Sequence, residues 1–410
     1  MALTLALLLP AAGPAHALTP AQAAERAQLM HDGEAALRQG RADDAVPRFE
    51  RAVALDHRAD AEIALVRALM QAGESAQAMT YAAHAAGAHR EVPEGALLYA
   101  RLLVLGARPE AARRLLDEAA QRFPGDAGIA AMRAQPADSL AQPEAVAVRL
   151  RPFGSGAALP RDVRWIGNGT LLGAAADRVL VPLAALGASS GPAQRLWVRD
   201  GRGRSVAARL LRRLPGLGLA LLALDAPLPV RARARALGDT PAAQALPEPV
   251  ERDPFPGRPV YAVLFAPEPE HGAEHGGTEP AWPRLQPGFL GTAATPEDLP
   301  ALGVGIDAAA PGGPLLDARG RWVGVSVPGP AGQAPRRVPM SRLRAALGPA
   351  LLPLAPAPAA PDPATAPATL AVEALHELGL RQAVQVLAGG RGTATPCRNR
   401  TSPAGPDCRQ

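Results

Sequence analysis

The sequence predicts a multidomain chain, with an all-α segment of helical repeats in front of an all-β domain. Two observations carry this. Residues 20–133 are rich in Ala and Leu at helical spacing and hold no strand-like runs. From about Val146 the pattern changes to short apolar runs separated by Gly, Pro and Asp: VAVRLRPFG, RVLVPLAAL, QRLWVRDGRG, LALLALDAP, RPVYAVLFAP and RWVGVSVPG. That is the pattern of a sandwich or barrel.

The first element is a leader. Residues 1–17, MALTLALLLPAAGPAHA, join a short apolar core, Ala2–Leu9, to Ala15-His16-Ala17, a small-x-small cleavage pattern. No basic residue precedes the core. The expectation is a signal peptide, a mature chain starting near Leu18, and an exported protein that is periplasmic or secreted. The richest later apolar run, Leu217–Leu224, is far shorter than the roughly 20 residues of a membrane span. No transmembrane segment is therefore expected.

The helical segment repeats. QGRADDAVPRFERAV, AGESAQAMTYAAHAA and LGARPEAARRLLDEA place Gly40, Gly73 and Gly106 at intervals of 33. Ala45, Ala78 and Ala111 follow each glycine by five residues, and Phe49, Ala82 and Leu115 follow those by four. Small residues let antiparallel helices approach, the glycine permits the reversal, and a larger side chain fills the space between neighbours. The first copy also carries Gly33, seven before Gly40. This resembles the tetratricopeptide repeat, in about three copies. The second copy lacks the large residue at its Phe position, and the third ends one residue late, at Phe123-Pro124. The resemblance implies a groove for a partner's peptide or helix. The alternative use of such helices is to buttress the domain behind them.

Residues 146–352 carry a second resemblance. Gly167-Asn168-Gly169-Thr170, Arg178-Val179-Leu180, Val198-Arg199-Asp200-Gly201-Arg202, Leu219-Ala220-Leu221-Leu222, Arg258-Pro259-Val260-Tyr261 and Val338-Pro339-Met340-Ser341 occur in the order of the corresponding motifs of bacterial envelope trypsin-like proteases. Gly312-Gly313-Pro314-Leu315-Leu316-Asp317, then Gly320 and Val323-Gly324-Val325, match the segment that follows the catalytic serine in that family. The resemblance implies an all-β double barrel of trypsin-like fold.

The catalytic residues of that family are missing. Counted from these anchors, the histidine position is Ala184, the aspartate position Gly218 and the serine position Pro311. Acyl transfer needs a nucleophile, a base that takes its proton and a carboxylate that orients the base. No shift of register supplies them. No His lies between His89 and His271, no Ser between Ser205 and Ser326, and no Cys in the domain. Proline at 311 also removes the backbone N–H that forms half of an oxyanion hole. Asp307, four residues earlier, reads as a turn residue.

The other candidates are quickly weighed. His271-Gly-Ala-Glu274-His275 spells H-x-x-E-H, a zinc motif only when helical, and here Pro and Gly flank it on both sides. It reads as a loop, so no metal and no cofactor are expected. All 43 basic residues are Arg, but they are scattered and the net charge is only +5. That is no nucleic-acid footprint.

Residues 353–368, PLAPAPAAPDPATAPA, form an extended Pro/Ala linker. Residues 369–388 have helical spacing through Leu370, Ala374, Leu375, Leu378, Val384 and Leu387, with a break possible at Gly379. Such a detached helix suits docking in the repeat groove of its own chain or of another chain. Residues 389–410 read as a disordered tail, in which Cys397 and Cys408 are placed to form one disulfide in an oxidising compartment.

The functional expectation is a catalytically inactive, protease-like envelope protein. It would act as a scaffold or adaptor for a protein or peptide, through its repeats and barrel cleft. The rival is a trypsin-like serine endopeptidase that uses an atypical site.

Overall fold

The computed structural model describes residues 18–134, 150–156, 159–160, 162–173, 175–187, 195–229, 246–265, 280–306, 312–330, 333–348 and 369–389. The leader, the Pro/Ala linker, His271, His275, Asp307, Pro311, Cys397 and Cys408 lie outside them.

Seven helices come first: α1 (Pro20–Arg38), α2 (Ala42–Leu55), α3 (Ala59–Ala72), α4 (Ser75–Ala88), α5 (Pro93–Leu105), α6 (Pro109–Arg122) and α7 (Ala127–Ala134). Each packs on the next, and α1, α3, α5 and α7 also pack on one another, so three hairpins stack side by side. The entry into α1 is fixed by a capping box between Thr19 and Gln22. In the first hairpin a Cβ at Gly33 would stand 2.6 Å from the Phe49 ring. The bare glycine is what lets that fully buried ring sit between α1 and α2.

The third hairpin departs from the expected register. Gly40 and Gly73 have φ of 71° and 85° and end the first helix of their hairpins. At the third turn Gly106 has φ −86°, and Ala107, with φ 57°, takes the left-handed position. One extra residue therefore precedes α6. Ala112, Leu116 and Ala119 are buried there, while Ala111 and Leu115, aligned by sequence, are only partly covered. A left-handed alanine costs about 1–2 kcal/mol. Ala107→Gly is expected to raise unfolding stability by about 1 kcal/mol, read as a higher denaturant midpoint at unchanged slope.

Two barrels follow. The strands are β1 (Ser155–Gly156), β2 (Arg164–Leu172), β3 (Arg178–Pro182), β4 (Leu196–Asp200), β5 (Arg204–Leu214), β6 (Leu219–Leu224), β7 (Pro259–Leu264), β8 (Arg284–Leu290), β9 (Leu302–Gly303), β10 (Pro314–Leu316), β11 (Trp322–Val327), β12 (Arg336–Pro339) and β13 (Ala383–Ala388). The short helix α8 (Leu183–Leu186) follows β3, α9 (Met340–Leu347) follows β12, and α10 (Val372–Gln382) precedes β13.

The first barrel runs β5-β4-β13-β2-β3-β6 and closes through β5 and β6, with β1 added in parallel on β5. The second runs β12-β11-β10-β7-β8-β9 and closes through the Ala301–Arg336 bridge. The chain is thus helical repeats followed by an all-β double barrel, as the sequence predicts for a trypsin-like domain.

Two expectations fail together. VAVRLRPFG was expected to be a barrel strand. Its described part, from Leu150, is irregular up to the two-residue β1, because Pro152 has no N–H for a ladder. The Phe153 N–H donates instead to Gln71 Oε1 on α3, at 2.8 Å. Residues 369–388 were expected to be one helix. The helix ends at Gln382 and AVQVLA becomes β13, paired antiparallel with β2 on one side and β4 on the other. The alternation of Val384 and Val386 suits a strand, and pairing on both edges satisfies its backbone. The first barrel is therefore completed from the far end of the chain, beyond the predicted boundary at 352.

α10 is the junction of all three units. Gly379 does not break it. A Cβ there would stand 2.5 Å from Val263 Cγ1, so the glycine lets the helix rest on β7. The Ala76 N–H at the start of α4 donates to Glu377 Oε1 at 2.8 Å, and Arg108 pairs with Glu373 at 2.6 Å. On the other side of the junction the Asp200-Gly201-Arg202 turn enters the repeats. Gln71 donates through Nε2 to the Arg202 carbonyl, and burial pushes the Arg202 guanidinium down to about 10.

Candidate functional site

Of the three positions that the sequence motifs align with a protease triad, the described two, 184 and 218, are alanine and glycine. β3 ends at Pro182 and α8 turns the chain back at once, leaving Ala184 exposed. The Leu183 N–H donates to the Gly218 carbonyl at 2.8 Å. Gly218, with φ 64°, ends the turn Pro215–Leu217 and starts β6. Positions 184 and 218 are thus brought together, and neither offers a heteroatom beyond the backbone.

The third strand of chain arrives from the second barrel. Gly312 and Gly313 have φ of 98° and 104°. A Cβ at 312 would lie 2.6 Å from Pro182 Cδ, and one at 313 would lie 2.6 Å from the Val263 carbonyl oxygen. Only glycine fits at either place. The turn next to Pro311 is therefore held against the end of β3, two residues from Ala184.

Two polar side chains hold the arrangement, and neither is free for chemistry. Ser326, 1% exposed, donates its hydroxyl to the Gly312 carbonyl at 2.7 Å. Asn168, in the Gly-Asn-Gly-Thr motif of β2, clamps the barrels together. Its Oδ1 accepts from the Phe265 N–H at 2.7 Å, and its Nδ2 donates to the Phe265 carbonyl at 3.2 Å. Both Phe265 groups and the amide are buried. Asn168→Ala is expected to cost about 2–4 kcal/mol by orphaning two buried backbone groups. Chemical denaturation would show it as a lower midpoint.

A serine–histidine pair that sequence reading missed lies elsewhere. Ser75 Oγ and His376 Nδ1 are 3.0 Å apart, and His376 Nε2 is 2.6 Å from the Pro283 carbonyl. A carbonyl only accepts, so Nε2 carries the proton and Nδ1 accepts from the Ser75 hydroxyl. Burial pushes the imidazole down to about 4. His376 is 3% exposed and Ser75 is buried with it. The pair ties α10 to α4 and to the start of β8. It has the residue types of a nucleophile and base, yet no carbonyl of a substrate could reach it without separating those three elements.

No protein-family model matches the chain. No curated protein matches it either. Solved structures similar to it include the apo protease domain of MamO from Magnetospirillum magneticum, at 20% identity and TM-score 0.31, over 47% of this chain and 92% of that one. Deg5 is similar at 18% identity and TM-score 0.30, over 45% and 85%. The active form of the Rv3671c protease from M. tuberculosis is similar at 16% identity and TM-score 0.32, over 47% and 80%.

Proposed function

We propose that this chain is an exported, catalytically inactive protein of trypsin-like fold that works by binding a protein or peptide. The contact surfaces are its tetratricopeptide-like hairpins and the cleft between its barrels. One feature carries the reading. The positions aligned by motif with the catalytic groups are Ala184, Gly218 and Pro311, while the Gly312-Gly313 backbone of the neighbouring turn is kept. A protein that needed the chemistry would keep the nucleophile, whereas one that needs only the shape has to keep the glycines. The endopeptidase reading finds no support in two described, buried hydroxyls. Ser326 is committed to the Gly312 carbonyl, and Ser75 is buried against His376.

The test is equilibrium binding of a fluorescently labelled unfolded protein to the chain from residue 18 onward, followed by anisotropy. Saturable binding with the probe recovered intact is expected. A probe that stays unbound throughout the titration would sink the binding function, and a fragmented probe would sink the inactivity.

A further inference from the structure

The first two hairpins gather three imidazoles around one buried carboxylate. Glu62, in the first turn of α3, is 1% exposed. His57 lies in the turn before α3, His84 on α4, and His89 at the end of α4. His57 Nε2 is 2.6 Å from Glu62 Oε1, His84 Nδ1 is 2.9 Å from the same oxygen, and His89 Nε2 is 3.4 Å from Oε2. The His57 ring lies 5.0 Å from that of His84 and 5.2 Å from that of His89, centroid to centroid. One ligand atom each from His57, Glu62 and His89 falls within 4.8 Å of the others.

We propose that His57, Glu62 and His89 bind a divalent transition ion of the zinc type, with His84 holding the carboxylate. Three features support this beyond proximity. His89 Nε2 is a buried nitrogen with no hydrogen-bond partner, and it is aimed at Glu62. A cation between them supplies the missing interaction. The spacing also fits, since ligand atoms about 2.0–2.1 Å from a tetrahedral ion stand about 3.3–3.4 Å apart. The separation of His89 Nε2 from Glu62 Oε2 already has that value, while the half-exposed His57 meets the other oxygen, Oε1, and has to turn outward to share an ion with them. Finally, the far nitrogen of His89 faces a second carboxylate, with Nδ1 3.7 Å from Glu91 Oε1. A carboxylate behind a ligating histidine orients the ring and raises its basicity.

The donor set chooses the ion class. Two imidazoles and one carboxylate suit zinc, cobalt, nickel or copper, whereas calcium and magnesium take oxygen ligands. His57, 51% exposed, gives the ion a route from solvent. The bound ion would fasten the α2–α3 turn to the end of α4 and stiffen the first two hairpins. A fourth position stays open to solvent or to a partner's side chain.

The experiment is a titration of the chelator-treated full chain with Co2+, followed by displacement with Zn2+. The result expected is visible absorption that saturates at one equivalent and is bleached by zinc. His89→Ala and Glu62→Gln each weaken zinc binding at least tenfold, roughly, while the double variant His271→Ala/His275→Ala leaves it unchanged. A spectrum that stays that of the hydrated ion overturns the proposal. So does binding that follows His271 and His275 instead of His89. The unaltered chain alone decides the first point, so the proposal stays testable if a variant fails to fold.

Discussion

Deleting residues 369–410 is expected to unfold the first barrel, although the cut lies beyond every other strand of either barrel. β13 sits between β2 and β4, so its removal leaves two facing ladder edges unpaired inside a closed sheet. Leu375, Leu380, Val384, Val386 and Leu387 are all buried. At about 1.5–3 kcal/mol for each such side chain, the loss is roughly 7–15 kcal/mol, as large as the whole stability of a typical domain. The truncated chain should aggregate or lose near-ultraviolet dichroism while keeping the helical signal of α1–α6. A synthetic peptide of residues 369–389 added in trans should restore a cooperative transition. A truncated protein that unfolds at the same midpoint as the full chain would show that β13 is not part of the barrel.

His376 should make the same junction sensitive to acid. The imidazole is held neutral in the folded chain because burial favours its uncharged form, so its folded value of about 4 lies below the ordinary 6.5. An unfolded chain therefore takes up a proton first as the pH falls. The stability due to this group is complete above pH 6.5, declines through the window from 6.5 toward 4, and has gone below it. The full loss is about 3 kcal/mol. His376→Gln keeps a donor for Pro283 and an acceptor for Ser75 without the titration. Denaturant midpoints of the two proteins, measured from pH 7.5 down to pH 4, should converge as the pH falls. Parallel profiles would mean that His376 titrates normally and is not enclosed by Ser75 and Pro283.

What the sequence made legible follows from how local each signal is. The change of period near Val146 is a property of neighbouring residues, and so are the turn glycines at 40 and 73. The turn around Gly312 could be placed because its glycines meet a steric demand that no other residue satisfies. The completion of the first barrel was not legible. Val384 and Val386 alternate, but they directly follow a good helix, and their partners Thr170 through Arg164 lie more than 200 residues away. Pro152 was the one local warning that VAVRLRPFG would not continue as a strand.

The same reasoning explains the misses among functional side chains. Ser75 and His376 are 301 positions apart and meet only because β13 pulls α10 onto the repeats. His57, Glu62, His84 and His89 have no motif spacing, since they come from a turn, two helices and a helix end. H-x-x-E-H, by contrast, is conspicuous as a string, but Pro and Gly flank it and it lies outside the described residues. Ala107 was invisible because a glycine stands beside it, where the repeat predicts one.

We propose that this double barrel keeps its shape without peptidase chemistry. The most direct test is a fluorophosphonate probe applied to the purified chain from residue 18 onward, read by intact mass, with an unfolded protein present as substrate. No mass adduct and no cleavage are expected, because Ser326 is committed to the Gly312 carbonyl and the Ser75–His376 pair is buried. A stoichiometric adduct on any serine, lost on prior denaturation and accompanied by cleavage that survives repurification, would contradict the proposal.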